Sequence, residues 1–137
     1  MLKKILVPID GSEISLRALD FAVDLAGKYD SELLVFNVEI PLDGTWRGEL
    51  IKDNKQKEQF LHPLRAAELR VPESDKVKFQ QVVDLRPAEC ICNKAKGDQF
   101  DLIVMGNRGL GMLEDILMGS VSSKVVKLAK CPVVVVK

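Results

Sequence analysis

The sequence predicts an α/β protein built around a doubly wound parallel sheet. Two observations lead to this fold class. Short apolar runs of strand length recur along the chain, and stretches with helical periodicity separate them. Five runs and four helical stretches alternate strictly, which is typical of βα units that place helices on both faces of a parallel sheet. We therefore expect five parallel strands flanked by four helices.

The first two strands and the helix between them are the clearest elements. The first apolar run, Ile5–Ile9, is followed by Ser12, a favourable residue for a helix N-cap. A helix with one apolar stripe follows. Gly27 is predicted to end it, because glycine is favoured just past a helix C-terminus. The second strand is predicted over Glu32–Val38.

The next part of the chain is less regular. Residues 39–48 are interpreted as a loop, and residues 49–70 form a charged, loosely amphipathic stretch. Pro63 is expected to kink or split that helix, because proline lacks the N–H that a helix interior needs. Trp46 is expected to pack against the protein rather than cover a ligand, and His62 is expected at the surface.

The rest of the chain returns to regular alternation. The predicted elements are a strand over Val77–Val83, a helix over Pro87–Lys96, a strand over Phe100–Met105, a helix from Gly119-Ser120 to about Ala129, and a strand over Val133–Val136.

Length and apolar patterning indicate the class of protein. A chain of 137 residues can form one ordinary core, so we predict a single domain over residues 1–137. The longest apolar runs have four residues, as in Val133–Val136, whereas a membrane-spanning helix needs about 20. Polar residues also follow the first strand too early for an export signal. We expect a cytoplasmic protein with no membrane partner.

Charge and cysteine content restrict the partners further. Twenty Lys and Arg residues balance twenty Asp and Glu residues without a strong basic stripe, so no nucleic-acid partner is expected. Residues 106–137 nevertheless carry a net charge of +3, which suits a small anion. The three cysteines form no CxxC pair and are expected to be reduced and packed as small hydrophobes: Cys90, Cys92 and Cys131.

A glycine-rich loop is predicted after the fourth strand. Residues 105–122 contain four of the nine glycines. Such density indicates tight turns, close approach of a ligand to the backbone, or both. Ser120 and the N–H groups of Val121 and Ser122 lie at a predicted helix N-terminus, which favours an anion. Arg108 either adds a charged, forked donor or is a solvated loop cation. These features predict a phosphate cradle.

Two common phosphate motifs fail in this loop. No glycine is followed by Lys-Ser or Lys-Thr, as a P-loop requires, and the dinucleotide fingerprint that begins at Gly109 meets Glu114 where its third glycine belongs. The spacing that fits is Gly106, two residues, Gly109, nine residues, then Gly119-Ser120. This spacing resembles the ATP-binding motif of the universal stress protein family.

The resemblance extends over the whole chain. Lys3–Asp10 is similar to the opening strand of that family, Gly106–Lys124 to its signature loop and helix, and Cys131–Val136 to its closing strand. The resemblance implies an adenine-nucleotide α-hydrolase-like fold with strand order 3-2-1-4-5. In such a sheet, ligands bind at the carboxyl ends of the strands, where the strand order reverses.

The resemblance also implies a set of ligand contacts. Adenine and ribose contacts fall on Pro8, Asp10 and Val38, with Met105 beside them. Phosphate contacts fall on Gly106, Gly109, Gly119, Ser120 and the backbone of Val121. Asp10 either accepts hydrogen bonds from ribose hydroxyls, helps to hold a divalent ion, or only stabilises the turn after the first strand.

Two departures from the family pattern affect this site. Leu85 stands where the family usually has a glycine, and it is expected to reshape the adenine-side wall. Glu114 and Asp115 add two negative charges to the phosphate loop, and these oppose binding or demand Mg²⁺ if they face the ligand. Apolar residues in the same loop are expected to attach it to the core: Met112, Leu113, Ile116 and Leu117.

The functional interpretation is a protein that binds ATP, ADP or AMP, with Mg²⁺ or Mn²⁺, in stress response or signalling and passes its signal to a protein partner. Slow or no hydrolysis is expected, because the motif contains neither a general base nor a P-loop lysine. Two alternatives remain. One is an enzyme that splits ATP at the α-phosphate, although Ile9–Ser12 does not match the Ser-Gly-Gly-x-Asp loop of that group. The other is a scaffold that binds no nucleotide.

A second interaction surface is predicted at the edge of the sheet. Val133–Val136 is an apolar strand at the expected edge, and an exposed edge invites pairing with another chain. The corresponding strand commonly mediates homodimerisation in the family that the sequence resembles. We therefore expect a homodimer.

Overall fold

The fold is a five-stranded parallel sheet with helices on both faces. The computed structural model describes residues 1–41, 62–109 and 117–137. Within these residues five strands and four helices alternate along the chain: β1 (Lys4–Pro8), α1 (Glu13–Tyr29), β2 (Glu32–Glu39), α2 (Pro63–Arg70), β3 (Val77–Val83), α3 (Pro87–Gly97), β4 (Leu102–Gly106), α4 (Ser120–Leu128) and β5 (Val133–Val136).

The strands pair in the order β3-β2-β1-β4-β5, and every pairing is parallel. The chain therefore starts at the centre of the sheet with β1, adds β2 and β3 on one side, and then adds β4 and β5 on the other. Ile5 pairs with Leu33 on one side and with Leu102 on the other. The predicted fold class and strand order are confirmed. The point where the order reverses lies at the carboxyl ends of β1 and β4.

Two apolar clusters fill the opposite faces of the sheet. Successive side chains of a strand point to opposite faces, so Ile5 and Val7 pack on the α1 face while Leu6 packs on the α3 face. All three are fully buried, and burial of one such side chain contributes about 1.5–3 kcal/mol. Because helices cover both faces, the central strands are apolar throughout instead of alternating.

The predicted end of α1 at Gly27 is wrong, and the predicted end of α3 at Lys96 falls one residue short of the observed Gly97. Gly27 lies inside α1, which continues to Tyr29. Asp30 takes the left-handed conformation at φ 55°, and the N–H of Ser31 then bonds to the carbonyl of Ala26. After α3, Gln99 is left-handed at φ 58° and the N–H of Phe100 bonds to Ala95. Both helices thus end in a non-glycine version of a common C-terminal motif.

The start of α2 explains the role of Pro63. The predicted helix over residues 49–70 is described only from Pro63, which occupies the first turn, where its missing N–H costs nothing. His62 caps this helix, since its Nδ1 accepts a hydrogen bond from the N–H of Leu64 at 3.1 Å. His62 is partly exposed, with 29% of its side chain accessible, and it has this capping role in addition to its place near the surface. Trp46 lies outside the described residues.

The cysteines pack as the sequence predicts. Cys90, Cys92 and Cys131 are free thiols in the described part of the chain and pack against the cluster on the α3 face. Burial raises the pKa of each thiol above its ordinary value. None of the helices in residues 1–41, 62–109 and 117–137 combines the length and apolar character needed to cross a membrane.

Candidate functional site

A cavity of about 390 Å³ opens at the carboxyl ends of β1, β2 and β4. The structure brings together around it every residue that the sequence predicts as a ligand contact. These are Pro8, Asp10, Val38, Met105, Gly106, Arg108, Gly109, Gly119, Ser120, Val121 and Ser122. Its position is the one expected for a ligand site in a doubly wound sheet, and its volume lies in the usual range for a small-molecule pocket.

The turn between β1 and α1 holds Asp10 at the floor of this cavity. Asp10 Oδ1 accepts a hydrogen bond from the N–H of Ser12 at 2.9 Å. Ser12 in turn caps α1, since its Oγ accepts from the N–H of Ser15 at 3.2 Å. Gly11 takes φ +90°, a conformation that side chains rarely adopt. Asp10 therefore stabilises the turn and lines the cavity at the same time.

Asn107 joins the two ends of the glycine-rich loop. Its carbonyl accepts from the N–H of Gly119 at 2.6 Å, and its Nδ2 donates to the carbonyl of Leu117 at 2.8 Å. Its own N–H donates to the carbonyl of Val136 in β5 at 2.8 Å. Beside it, Ser122 Oγ donates to the carbonyl of Gly106 at 2.7 Å. The loop thus leaves β4 and enters α4 at fixed points.

The three motif glycines are packed against other parts of this protein. A Cβ on Gly106 would overlap Cγ2 of Ile14 in α1. A Cβ on Gly109 would lie 2.6 Å from Asp10 Oδ2, and one on Gly119 would lie 3.1 Å from Cα of Arg108. The sequence attributes these glycines to tight turns, to close approach of a ligand, or to both. The structure adds a second reason, because the chain itself occupies the space that a side chain would need.

The N-terminus of α4 faces the cavity through its backbone. Gly119 is the N-cap residue and supplies no side chain, so no side-chain bond caps α4 within the described residues. The first-turn N–H groups of a helix have no partner inside the helix, and the helix dipole adds partial positive charge there. Ser120, Val121 and Ser122 bring this end of α4 to the cavity wall.

Apolar side chains form a second wall of the cavity. It is made by Phe36 and Val38 of β2, Pro87 and Ile91 of α3, and Met105 of β4. Leu85 is 72% exposed and is not among the residues that line the cavity. The expectation that Leu85 reshapes this wall is therefore wrong. Pro87, two residues further along the chain, lines the cavity instead.

Sequence reasoning missed two polar side chains of β2 that line the cavity. Asn37 is 2% exposed, and its Nδ2 donates to the carbonyl of Ile9 at 2.8 Å. Glu39 is also buried, and its Oε1 lies 3.8 Å from Nε2 of His62. The signal was present, because Asn37 and Glu39 interrupt an otherwise apolar strand near its end. Asn107, directly after β4, is the same kind of signal.

Three charged side chains line the described part of the cavity: Asp10, Glu39 and Arg108. An ion pair between Glu89 of α3 and Lys124 of α4, at 3.0 Å, joins the helices that form the two walls. The hydrogen bond from Lys124 holds the pKa of Glu89 below its ordinary value.

Glu114 and Asp115 lie outside the described residues, as do Met112, Leu113 and Ile116. Leu117 is 78% exposed, so its expected attachment to the core is wrong.

Comparison with known proteins gives one consistent result. The model of the universal stress protein family matches residues 1–137. A universal stress protein from Methanocaldococcus jannaschii is 35% identical over 144 residues, covering 98% of this chain and 82% of the relative. One from Thermus aquaticus is 36% identical over 141 residues, covering 100% of both. A crystal structure of a universal stress protein in complex with cAMP has a TM-score of 0.72 at 27% identity, covering 98% of this chain and 97% of that one.

Proposed function

Because the chain belongs to the universal stress protein family, we propose that it binds adenine nucleotides and acts in stress response or signalling with slow or no ATP hydrolysis. The observation that carries the proposal is the cavity at the switch point of the sheet, which is lined by apolar side chains and by the N-terminus of α4. An adenine nucleotide has the matching division into a flat base and an anionic phosphate chain. The related protein with cAMP supports this class of ligand.

The phosphates belong on the wall formed by the glycine-rich loop and α4. Ser120, Val121 and Ser122 offer a helix N-terminus, which stabilises anions through its N–H groups and its dipole. Beside this helix end the backbone is accessible to the phosphates, because Gly106, Gly109 and Gly119 carry no side chains. Arg108 lines the same wall and adds positive charge. Few side-chain charges are needed, because the main chain supplies most of the donors.

The base and the ribose belong on the opposite side. Val38 and Met105 present apolar surface on which a base packs, and Pro8 closes the end of β1. Asp10 also lines the cavity, and its carboxylate is suited to accept hydrogen bonds from ribose hydroxyls. The same carboxylate also suits Mg²⁺ or Mn²⁺, since such ions take one or two carboxylates together with phosphate oxygens and water.

Slow turnover follows from the donor set. The described lining contains no lysine that would stabilise charge on the β- and γ-phosphates, as a P-loop lysine does. Backbone donors alone give limited stabilisation of a transition state. We therefore propose a binding module rather than an efficient enzyme. In this proposal it acts in the cytoplasm, and a protein partner distinguishes its nucleotide-bound form from its empty form.

A homodimer through β5 is part of the proposal. The four valines Val133–Val136 are half-buried, and β5 pairs only with β4 among the described strands. Val126 of the adjacent helix α4 is 48% exposed. An apolar edge strand with apolar neighbours is a suitable surface for a second copy. Sedimentation at micromolar concentration should show a dimer, and a species of 15.2 kDa would contradict this part.

One experiment separates the proposed function from its alternatives. The purified protein is denatured, and released small molecules are identified by mass spectrometry. The nucleotide-free protein is then incubated with ATP and Mg²⁺ for several hours. Bound adenine nucleotide with negligible turnover supports the proposal. AMP and pyrophosphate would instead identify an α-hydrolase, and absence of binding at millimolar ATP would identify a scaffold.

A further inference from the structure

Asn107 is a buried polar residue of the glycine-rich loop. It is 4% exposed and lies between Gly106 and Arg108. Both neighbours line the cavity, whereas Asn107 is not among the described residues that do. Burying an amide is costly unless it forms hydrogen bonds, so the bonds of Asn107 indicate what it contributes. Any influence of this side chain on a ligand acts through the residues that it holds.

The side chain of Asn107 holds the segment that leads into α4. Nδ2 donates to the carbonyl of Leu117 at 2.8 Å, and the residues joined by this bond are 10 positions apart. The main-chain carbonyl of Asn107 accepts from the N–H of Gly119 at 2.6 Å. A residue of any type can make the second bond, but the first requires a side-chain donor. Oδ1 has no partner among the described residues, so the side chain holds this segment through Nδ2 alone.

Gly119 connects this pair of bonds to the cavity wall. It is the N-cap of α4, and its N–H is the donor in the bond to Asn107. A Cβ on Gly119 would lie 3.1 Å from Cα of Arg108 and 3.6 Å from the nitrogen of Gly109, so the chain that enters α4 touches the chain that leaves β4. N–H···O bonds occupy a narrow range of about 2.7–3.2 Å. A small displacement of Gly119 therefore changes how well the first-turn N–H groups of α4 reach an anion.

We propose that Asn107 is a positioning residue for phosphate binding: its bond to Leu117 fixes Gly119 and the N-terminus of α4 against the end of β4. Asn107 itself does not contact the ligand. Ser122 also ties α4 to β4, through its bond to the carbonyl of Gly106, but Ser122 lines the cavity and can touch a ligand directly. A loss of affinity at Asn107 has no such second explanation. The ligand readout of this inference rests on the proposed nucleotide binding.

The first test measures the affinity of Asn107→Ala for ATP, AMP and adenosine. Loss of the bond to Leu117 should weaken ATP binding by about threefold to tenfold, which corresponds to one hydrogen bond, and leave adenosine binding nearly unchanged. The effect on AMP should lie between them. Asn107→Ser, which has no atom in the position of Nδ2, should give the same order. Equal losses for adenosine and ATP, or no loss for either, overturn the proposal.

Ser31→Ala is the matched control. Ser31 is 3% exposed, and its Oγ donates to the carbonyl of Leu2 at 2.6 Å, so this variant also loses one bond from a buried side chain to a main-chain carbonyl. Ser31 precedes β2, at the end of the sheet away from the cavity. Thermal melts should show a similar loss of stability in both variants, whereas only Asn107→Ala should alter the dependence of affinity on phosphate number. A phosphate-dependent loss in Ser31→Ala as well overturns the proposal.

The second test needs no nucleotide. Amide hydrogen exchange is followed by NMR in the ligand-free protein. The N–H of Gly119 should exchange slowly in the unmodified protein and clearly faster in Asn107→Ala, because its main-chain bond loses the support of the bond to Leu117. Ser31→Ala should leave it unchanged. Unchanged exchange of Gly119 in Asn107→Ala overturns the positioning role. If Gly119 responds but the unmodified protein binds neither ATP nor AMP, the proposed function fails while the positioning of the loop stands.

Discussion

The two walls of the cavity are built in different ways. The wall on which we propose that the phosphates bind consists largely of backbone, with Gly106, Gly109 and Gly119 packed against the rest of the chain and the N-terminus of α4 beside them. The wall proposed for the base consists of apolar side chains such as Val38 and Ile91. A Cβ added at one of the three glycines would meet Ile14, Asp10 or Arg108, whereas a side-chain wall can repack. The difference explains why only one wall leaves a motif in the sequence.

The largest effect is expected at Gly106. Gly106→Ala places a Cβ against Ile14 in a fully buried strand, so the free energy of unfolding should fall by about 1–3 kcal/mol and nucleotide affinity should fall with it. Gly97→Ala is the matched control, because a Cβ there meets no atom within 4 Å. Thermal melts and ATP titrations measure both. Equal behaviour of the two variants would mean that the backbone wall is not tightly packed.

Gly109 tests how the backbone wall acts on Asp10. Gly109→Ala should displace the Asp10 carboxylate, because the new Cβ would lie 2.6 Å from Oδ2. A hydrogen bond to a charged group is then lost, which lowers affinity by about tenfold. The loss should be the same for adenosine and for ATP when both are measured by calorimetry. A loss that grows with the number of phosphates would assign Gly109 to phosphate contact instead.

The side-chain wall should tolerate a smaller change. Ile91→Val removes one buried methylene from this wall, and such changes typically cost about 0.5–1.5 kcal/mol of stability. Affinity for ATP should change only slightly, since neighbouring apolar side chains repack. Chemical denaturation and ATP titration check both numbers. A loss of affinity as large as that of Gly106→Ala would remove the distinction between the walls.

The smallest effect concerns the ion pair that joins the walls. The hydrogen bond from Lys124 holds the pKa of Glu89 below its ordinary value, so the pair stabilises the fold above the ordinary glutamate pKa and loses its effect as the pH falls through the lowered one. Glu89→Gln should lower the melting temperature slightly at neutral pH, and its difference from the unmodified protein should shrink as the solution is acidified. Both side chains are partly exposed, so solvent screens the pair. A difference that does not shrink on acidification would exclude a charge effect.

The order of elements was predictable because it depends on local patterning. Apolar runs and helical stripes mark each strand and helix, and the spacing of Gly106, Gly109 and Gly119 marks the backbone wall. The helix end at Asp30 was not predictable, since Gly27 is the stronger local signal and only the bonds to Ala26 reveal the true end. Local patterning is therefore informative for elements and less so for their last turn.

The polar residues of the site show a similar limit. Asn37 and Asn107 owe their roles to hydrogen bonds with segments far along the chain, Ile9 for one and Val136 for the other. Sequence alone shows only that a polar residue follows apolar ones. Which carbonyl it meets depends on strand order and register. The residues whose backbone we propose to bind the ligand are thus marked in the sequence, whereas the residues that hold others in place are evident only from the structure.

The hydrogen bond between Asn107 and Val136 connects the edge strand of the sheet to the loop that lines the cavity. A chain that pairs with the outer edge of β5 acts on a strand whose carbonyl holds the first residue of the glycine-rich loop. Thermodynamic reciprocity then requires that whatever a neighbour does to ligand affinity, the ligand does to the neighbour's affinity by the same factor. The main-chain hydrogen bond from Asn107 to Val136 is thus a direct connection between the edge strand and the loop that lines the cavity.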